Sequence, residues 1–360
     1  MVVCEEAANK LSGGIDSGKN QFCRGLYLSA RWFVLSRTAR KGLNMVVLPD
    51  RDSAEYCASD LYHLTDGDCV FFLPSQGRNM ENSNFKSSNS VQRTSAIQKI
   101  TCAPAGERCF IVSYPEALEE KAPDRKSVEN SVVRLKKGEE ISFSDIMELM
   151  GNSGFEKVDF VSCPGQFAIR GSIIDIFSFS YNFPYRLSFF GDEIESISVF
   201  DCNTQLSTEK VEEAEIMKDM SEEESVGSIV EILPKDSLIW LDSSDVYREK
   251  EFFKALDGFQ KVFLDTPIEI DREEAIDFGT SPQPVFNKNF ELLAADIRER
   301  IEEGYKVFIY GEKESQLNRV SSILSEQKCP IPEFIPGKNI HAGFIDRRER
   351  ICCYTDHEIF

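Results

Sequence analysis

The chain has 360 residues, of which 41% are hydrophobic, and it contains 27 phenylalanines. This length and composition predict about two to four domains with well-packed cores and exclude a disordered tail. The formal net charge of −20 disfavours a protein whose main task is to grip a phosphate backbone. We expect so acidic a chain to bind another protein, through a local basic site.

The cysteines indicate a reducing compartment. All 11 are scattered along the chain and none forms a Cys-x-x-Cys pair, which is typical of reduced thiols that pack as small hydrophobes. Cys352 and Cys353 cannot share a metal ion, because adjacent strand residues point to opposite faces. No apolar run approaches the ~20 residues that span a bilayer, and the first residues do not resemble a signal peptide. We therefore expect a cytoplasmic protein with no metal and no membrane contact.

The first 20 residues are polar, with a short helix predicted over residues 5–11. The segment from Gly13 to Asn20 is one residue short of a P-loop, because Asn20 stands where a Ser or Thr would bind magnesium. No buried strand precedes Gly13, as a P-loop requires. The pattern therefore indicates a chance resemblance.

A parallel α/β sheet is predicted next. Continuous apolar runs at residues 44–50, 69–74 and 109–114 read as buried strands, with helices at 52–64 and 92–100 between them. Residues 76–90 are rich in Ser and Asn and predict a surface loop. Strands at 237–241 and 261–264 are expected to complete the same sheet, which makes this domain discontinuous.

An antiparallel meander is predicted at residues 165–205, after a strand at 131–135 and a helix at 142–150. Apolar and polar residues alternate there between short turns, which is typical of strands with one buried and one wet face. Arg170 and Arg186 fall at polar positions, so both can point outward. Phe189 and Phe190 are adjacent and cannot both be buried, so one of them should be exposed.

The remaining segments complete the prediction. Residues 209–224 are strongly acidic and predict a solvated connector or helix. A further unit begins near Asp277, with Pro282-Gln283-Pro284 at its boundary. It contains predicted helices at 290–303 and 312–326 and predicted strands at 306–310 and 350–354.

No catalytic constellation emerges from the sequence. Asp175, Asp192 and Glu193 are acids with no nucleophile or metal cluster near them, and the three histidines lie far apart in the chain. We therefore assign no catalytic residue and no cofactor.

Three motifs carry a specific family resemblance: Arg170-Gly171 followed by Asp175, Pro184-Tyr185-Arg186 followed by Phe189-Phe190 and Asp192-Glu193, and Ser196-Ile197 followed by Phe200-Asp201. In this order and spacing they resemble the second domain of the bacterial transcription–repair coupling factor family (Mfd), in the module that it shares with the excision-repair helicase UvrB. The resemblance implies a docking surface for UvrA, the damage-recognition ATPase of excision repair. The family residues that make this contact match Arg170, Arg186 and Phe190.

The resemblance extends over most of the chain and implies its organisation. The family's degenerate nucleotide loop matches Gly25–Ser29, which has neither a Lys nor a second Gly, so no ATP binding is implied. The implied fold is a discontinuous parallel-sheet α/β domain resembling a degenerate P-loop helicase domain (residues 1–120 and 211–276). An antiparallel α+β domain of the UvrA-binding type (121–210) is inserted into it, and a small α/β domain (277–360) follows. No polymerase-binding domain or helicase motor follows, so we expect a fragment or truncated product.

The resemblance implies a non-catalytic recruitment module that binds UvrA and brings repair to a stalled RNA polymerase. The full-length family member is an ATP-dependent DNA translocase with RNA polymerase, DNA and its own C-terminal domain as further partners. That C-terminal part masks the UvrA surface, so this chain is expected to bind UvrA constitutively.

Two alternatives remain. A UvrB-type ATP-dependent DNA-damage binding enzyme needs an intact P-loop and an aromatic-rich hairpin after the third strand, where this chain has Tyr114–Leu118 followed by charged residues. A decayed fragment with no partner is also compatible with the sequence.

Overall fold

The computed structural model describes residues 3–65, 70–76, 83–102, 106–180, 183–218, 220, 227–265, 267, 270 and 274–360. The chain divides into two compact units. Unit 1 comprises Met1–Phe72, Pro104–Pro115 and Lys235–Phe360, and unit 2 comprises Leu73–Ala103 and Glu116–Pro234.

The α-helices of the described residues are, in chain order, α1 (Glu5–Asp16), α2 (Ala30–Thr38), α3 (Arg51–Leu64), α4 (Ser83–Thr101), α5 (Pro115–Glu119), α6 (Arg125–Asn130), α7 (Phe143–Asn152), α8 (Ile229–Ile232), α9 (Glu251–Ala255), α10 (Phe290–Glu302), α11 (Glu314–Glu326) and α12 (Asp356–Ile359). None of the helices in these ranges is long and apolar enough to cross a membrane.

The β-strands of the same residues are β1 (Gln21–Arg24), β2 (Gly42–Val47), β3 (Val70–Phe72), β4 (Arg108–Ser113), β5 (Lys121–Ala122), β6 (Val132–Lys136), β7 (Glu156–Lys157), β8 (Gln166–Arg170), β9 (Ile173–Ile176), β10 (Tyr185–Phe190), β11 (Glu193–Phe200), β12 (Ser207–Val211), β13 (Glu213–Met217), β14 (Gly227–Ser228), β15 (Leu238–Leu241), β16 (Gln260–Phe263), β17 (Ile276–Asp277), β18 (Thr280–Pro282), β19 (Lys306–Gly311), β20 (Glu333–Pro336), β21 (Phe344–Asp346) and β22 (Ile351–Thr355).

The first sheet of unit 1 has seven parallel strands in the order β17-β1-β16-β15-β2-β4-β3. Its central strands are buried on both faces, which explains their continuous apolar sequences. The buried indole of Trp240 donates to Asn44 Oδ1 at 3.2 Å, so that its one polar atom is satisfied. β15 and β16 complete this sheet, as the sequence predicted.

The second sheet of unit 1 has the order β18-β21-β22-β19-β20. β19 runs parallel to β20 and β22, whereas β21 is antiparallel to its two neighbours. The ring of Phe33 on α2 contacts both Tyr310 and Phe344, with ring centroids 5.9 and 5.3 Å apart. Helix α2 thus packs against the second sheet through aromatic contacts.

Unit 2 is built on a six-stranded sheet in the order β12-β11-β10-β9-β8-β7, in which only β7 and β8 are parallel. One face packs on Ile146 and Met150 of α7 and on the β6–β13 pair, forming the core of the unit. The predicted antiparallel meander is confirmed. So is the predicted fold class of mixed α/β with parallel and antiparallel sheets.

Three predictions differ from the structure, and the first of them only in where a helix ends. α1 extends to Asp16 rather than residue 11, because Leu11 and Ile15 continue its buried face. Residues 83–90, predicted as loop, belong to α4, where the buried Asn89 amide donates to Ser75 O at 3.1 Å. Residues 77–82 of that predicted loop lie outside the described residues.

The third error concerns the acidic segment 209–224. Much of it forms β12 and β13 rather than a connector or helix. In β13 the buried Ala214 and Ile216 alternate with Glu213 and Glu215, whose carboxylates pair with Arg134 of β6 at 3.7 and 3.0 Å. Charge on one face of a strand thus disguised an ordinary alternating pattern. Residues 219 and 221–224 lie outside the described residues.

Candidate protein-binding surface

The three predicted contact residues lie on one face of the unit 2 sheet. In the strand register Arg186 pairs with Asp175, and Asp175 pairs with Ala168, two residues before Arg170 on β8. Residues two apart on a strand share a face, so Arg170, Asp175 and Arg186 project from the same side, away from the α7 core. We call this side the outer face.

A single carboxylate holds both arginines. Asp175 is only 1% exposed as a side chain, and it accepts from Arg186 Nε at 2.7 Å and from Arg186 Nη2 at 2.9 Å. Arg170 Nη2 donates to the same carboxylate from β8. The hydrogen bond with Asp175 raises the pKa of the Arg186 guanidinium above its ordinary value. Two cations thus share one anion, and the group carries a net positive charge in an acidic chain.

The prediction of a fully wet outer face was wrong. A second apolar cluster of Val161, Ala168, Phe177 and Phe200 covers part of it. The Arg186 side chain, which lies 4.3 Å from the Phe200 ring centroid and donates to Gln205 O at 3.0 Å, is consequently only 16% exposed. Arg170, at 34%, is the more accessible of the two.

Phe190 is the exposed member of the Phe189-Phe190 pair, as predicted. Phe190 is 79% exposed, whereas Phe189 is buried and packs edge-on against Phe143 with ring centroids 5.7 Å apart. A register shift between Ser188 and Phe189 marks a β-bulge opposite the start of β11. We call Arg170, Asp175, Arg186 and Phe190 the outer-face cluster.

Sequence reasoning missed the role of Asp175. It treated this residue only as one of several acids without a catalytic partner. The usable signal was its place in the alternation: an aspartate at an interior strand position, flanked by Ile174 and Ile176, needs a cation across the strand.

Both P-loop-like segments have unsuitable surroundings. Gly13 and Gly14 lie inside α1, and the nearest strand, β1, follows the motif instead of preceding it. Gly25–Ser29 does connect a strand to a helix, but Thr280 occupies it: its N–H and Oγ1 both donate to Gly25 O, at 2.9 and 2.7 Å. Tyr27 N–H donates to Thr280 Oγ1 at 3.0 Å.

The space in front of Gly25 is crowded and carries mixed charge. A Cβ on Gly25 would lie 2.8 Å from Asp277 Oδ1 and 3.1 Å from Gly279 N. The cavity of about 440 Å³ beside it is lined by two arginines, Arg24 and Arg31, and two aspartates, Asp265 and Asp277. Both arginines of this lining are paired with carboxylates, Arg24 with Asp277 at 3.4 Å and Arg31 with Asp242 at 2.7 Å, so a phosphate group would compete with a carboxylate for each of them.

Metal-binding residues do not converge in the described ranges: these contain no group of three His, Cys, Asp or Glu side chains that could hold an ion. Cys352 and Cys353 are both buried within β22 as reduced thiols.

The segment that carries the outer-face cluster is similar to a known domain, and the chain is similar to known proteins. Residues 133–220, which contain the whole outer-face cluster, match the UvrB interaction domain. The chain is similar to the transcription-repair-coupling factor of Escherichia coli (strain K12), with 26% identity over 54% of this chain and 16% of the relative. The corresponding factor of Bacillus subtilis (strain 168) is 27% identical over 54% of this chain and 17% of its own length.

A third relative aligns with most of the chain. The transcription-repair-coupling factor of Staphylococcus aureus (strain Mu50 / ATCC 700699) is 19% identical over 86% of this chain and 35% of its own length. The family resemblance inferred from the motifs is thereby confirmed. The chain spans about a third or less of the length of these relatives.

Proposed function

We propose that this chain is a non-catalytic recruitment module of a transcription–repair coupling factor, which binds UvrA and so brings excision repair to a stalled RNA polymerase. The observation that carries the proposal is the outer-face cluster, which lies inside the segment that matches the UvrB interaction domain. In the complete protein, RNA polymerase, DNA and a C-terminal domain are the further proposed partners. The domain boundaries at residues 120, 210 and 276 stay predictions.

The geometry of the cluster suits protein recognition. Arg186 and Arg170 are held by hydrogen bonds to Asp175 before any partner arrives, so little side-chain entropy remains to be lost on binding. Phe190 adds a large apolar area that the fold itself does not use. Arginine and aromatic side chains supply much of the energy of protein interfaces.

The absence of catalysis is part of the proposal. Thr280 Oγ1 accepts from the Tyr27 N–H, one of the backbone donors of the Gly25–Ser29 loop, and Asp277 crowds the loop at Gly25. These features support the proposal that the Gly25–Ser29 loop connects β1 to α2 without binding a nucleotide. They disfavour the alternative of a UvrB-type ATP-dependent enzyme.

Calorimetric titration of the chain with purified UvrA tests the proposal. Phe190→Ala removes an exposed ring, and Arg170→Ala leaves Asp175 paired with Arg186. We expect each to weaken binding by about 30-fold or more, the range of interface hot spots. The control is Tyr62→Ala, which removes an exposed aromatic ring from unit 1.

The Arg170→Ala/Arg186→Ala double variant requires a check of folding, because it leaves the buried Asp175 carboxylate without a cation. Binding that survives all these substitutions would retain UvrA as partner but reject the outer-face cluster as the site. No binding by the folded wild-type chain would reject the recruitment function.

A further inference from the structure

Phe160 is a second exposed aromatic side chain on the outer face. It lies in the connection between β7 and β8 and is 61% exposed. Its neighbour Val161 is fully buried in the apolar cluster of that face. The connection is thus anchored at Val161, while the ring of Phe160 stays open to solvent.

A continuous series of contacts joins Phe160 to the arginines. The guanidinium carbon of Arg170 lies 5.0 Å from the centroid of the Phe160 ring, and the same guanidinium pairs with Asp175. On the other side of Asp175, Arg186 lies over the ring of Phe200. Each arginine therefore lies between the shared carboxylate and an aromatic ring. The ring at Arg186 is buried, whereas the ring at Arg170 is exposed.

Phe160 and Phe190 come from different parts of the sheet, since Phe160 precedes β8 and Phe190 ends β10. Arg170 is opposite Ile173, and Ile173 is opposite Ser188, so the backbone of Arg170 lies two strand spacings, about 10 Å, from Ser188. Phe190 follows Ser188 by two residues, about 7 Å along β10. The more accessible arginine of the pair thus has an exposed ring against it and another across the sheet.

We propose that Phe160 is the second aromatic contact of this surface and the residue that positions the Arg170 guanidinium for the partner. The inference rests on the proposed function, since UvrA is the partner. A guanidinium confined between an exposed ring and a buried carboxylate fits a UvrA surface that presents a carboxylate with apolar side chains beside it. The carboxylate binds Arg170, and the two phenylalanine rings keep water from that ion pair.

A double-mutant cycle in the titration with UvrA tests this inference. The variants are Phe160→Ala, Arg170→Ala and the two combined, with Phe160→Tyr as the conservative variant and Tyr62→Ala as the control. We expect Phe160→Ala to weaken binding by about tenfold. The combined variant should be weaker than Arg170→Ala alone by less than the full effect of Phe160→Ala, because Phe160 acts partly through Arg170. Phe160→Tyr, which keeps the ring, should bind like wild type.

The outcomes separate this inference from the proposed function. If UvrA binds the wild type and Phe160→Ala equally while Phe190→Ala weakens binding, the inference is wrong and the recruitment function stands. Additive effects of Phe160→Ala and Arg170→Ala would reject the positioning role. If the folded wild-type chain does not bind UvrA, both proposals fail. Thermal unfolding of each variant establishes that the exposed ring was removed without loss of the fold.

Discussion

Asp175 gives the outer face its geometry. Its carboxylate is buried, accepts from two arginines on different strands, and is the only acidic side chain to which the described contacts of Arg170 and Arg186 lead. A buried carboxylate with two guanidinium partners stabilises the sheet only while the group is complete, because each unpaired charge in such a site is costly.

We predict that Asp175→Ala lowers the free energy of unfolding of unit 2 by about 3 kcal/mol, since it leaves two arginines on the outer face without their shared anion. The exposed Asp192→Ala serves as the control and should change stability by less than about 0.5 kcal/mol. Both tryptophans, Trp32 and Trp240, belong to unit 1, so their fluorescence does not report on this change. Hydrogen exchange of peptides covering β8 to β11 measures it, and unchanged protection in Asp175→Ala would contradict the prediction.

The sequence was sufficient to predict which face the outer-face residues occupy, but not how exposed each of them is. Alternation alone was enough to place Arg170 and Arg186 on one face and to require that Phe189 or Phe190 be exposed. It did not show that Arg186 would be largely covered by Phe200 at the end of β11 and by Gln205 in the turn after it. Nor did it single out Phe160, whose exposure depends on how Val161 anchors the preceding connection. Contacts between segments distant in sequence carry no local pattern.

At the scale of elements, apolar strands were predictable and charged strands were not. β2, β4, β15 and β16 are buried on both faces, so an uninterrupted apolar run was a sufficient signal. β12 and β13 carry acidic residues at their exposed positions, and the excess of charge concealed the alternation. Helix ends in α1 and α4 were wrong because tertiary burial of Ile15 and Asn89 extends these helices over residues of weak helical propensity.

The connection between β1 and α2 yields the second prediction. Thr280 bonds the backbone of this connection and Asp277 crowds it at Gly25. We therefore expect no saturable binding of ATP with magnesium at concentrations up to about 1 mM, the upper end of ordinary substrate affinities. Calorimetry with the wild-type chain measures this. Saturable binding that Arg31→Ala abolishes would mean that the cavity beside Gly25 still accepts a nucleotide. Arg31 lines that cavity and pairs with Asp242 at 2.7 Å.

At the scale of the whole molecule, unit 1 contains a buried carboxyl group, on Asp60, that connects α3 to a segment of the second sheet. Asp60 of α3 accepts from Ser29 Oγ at 2.6 Å and, at 2.8 Å, from the N–H of His341, which lies between β20 and β21 of the second sheet. The ring of Tyr56 stacks on His341 with centroids 3.4 Å apart. Burial raises the pKa of Asp60 to about 7 despite these two hydrogen bonds, so the group changes charge near neutral pH.

The stability of unit 1 should therefore depend on pH through Asp60. The unfolded carboxyl loses its proton near pH 4, whereas the folded one keeps it until about pH 7. Raising the pH through this window thus lowers the free energy of unfolding, by up to about 1.4 kcal/mol per pH unit, and the effect ends above pH 7. Asp242, whose pKa burial raises to about 6, acts in the same sense at lower pH.

Urea unfolding followed by tryptophan fluorescence between pH 6 and 7 measures this dependence, because both tryptophans lie in unit 1. We expect Asp60→Asn to remove the decline that the wild type shows over this interval. Burial lowers the pKa of His341, so His341 lowers the free energy of unfolding as the pH falls, whereas Asp60 raises it. Because His341 is present in both proteins, the difference between wild type and variant isolates Asp60. Equal slopes in the two proteins would contradict the assignment.

The strand order of the first sheet also determines how force reaches unit 2. The longer segment of unit 2 begins after β4 and ends before β15, and both of these strands are hydrogen-bonded to β2, one on each side. Because β4, β2 and β15 are parallel, the segment leaves the sheet at the carboxyl end of β4 and returns at the amino end of β15, so its two attachment points lie at opposite edges of a single rigid support. A load applied through unit 2 therefore acts on β4 and β15 from opposite edges of the sheet, and both strands are held by their backbone hydrogen bonds to β2. The tension is then shared among many backbone hydrogen bonds instead of being concentrated on one linker.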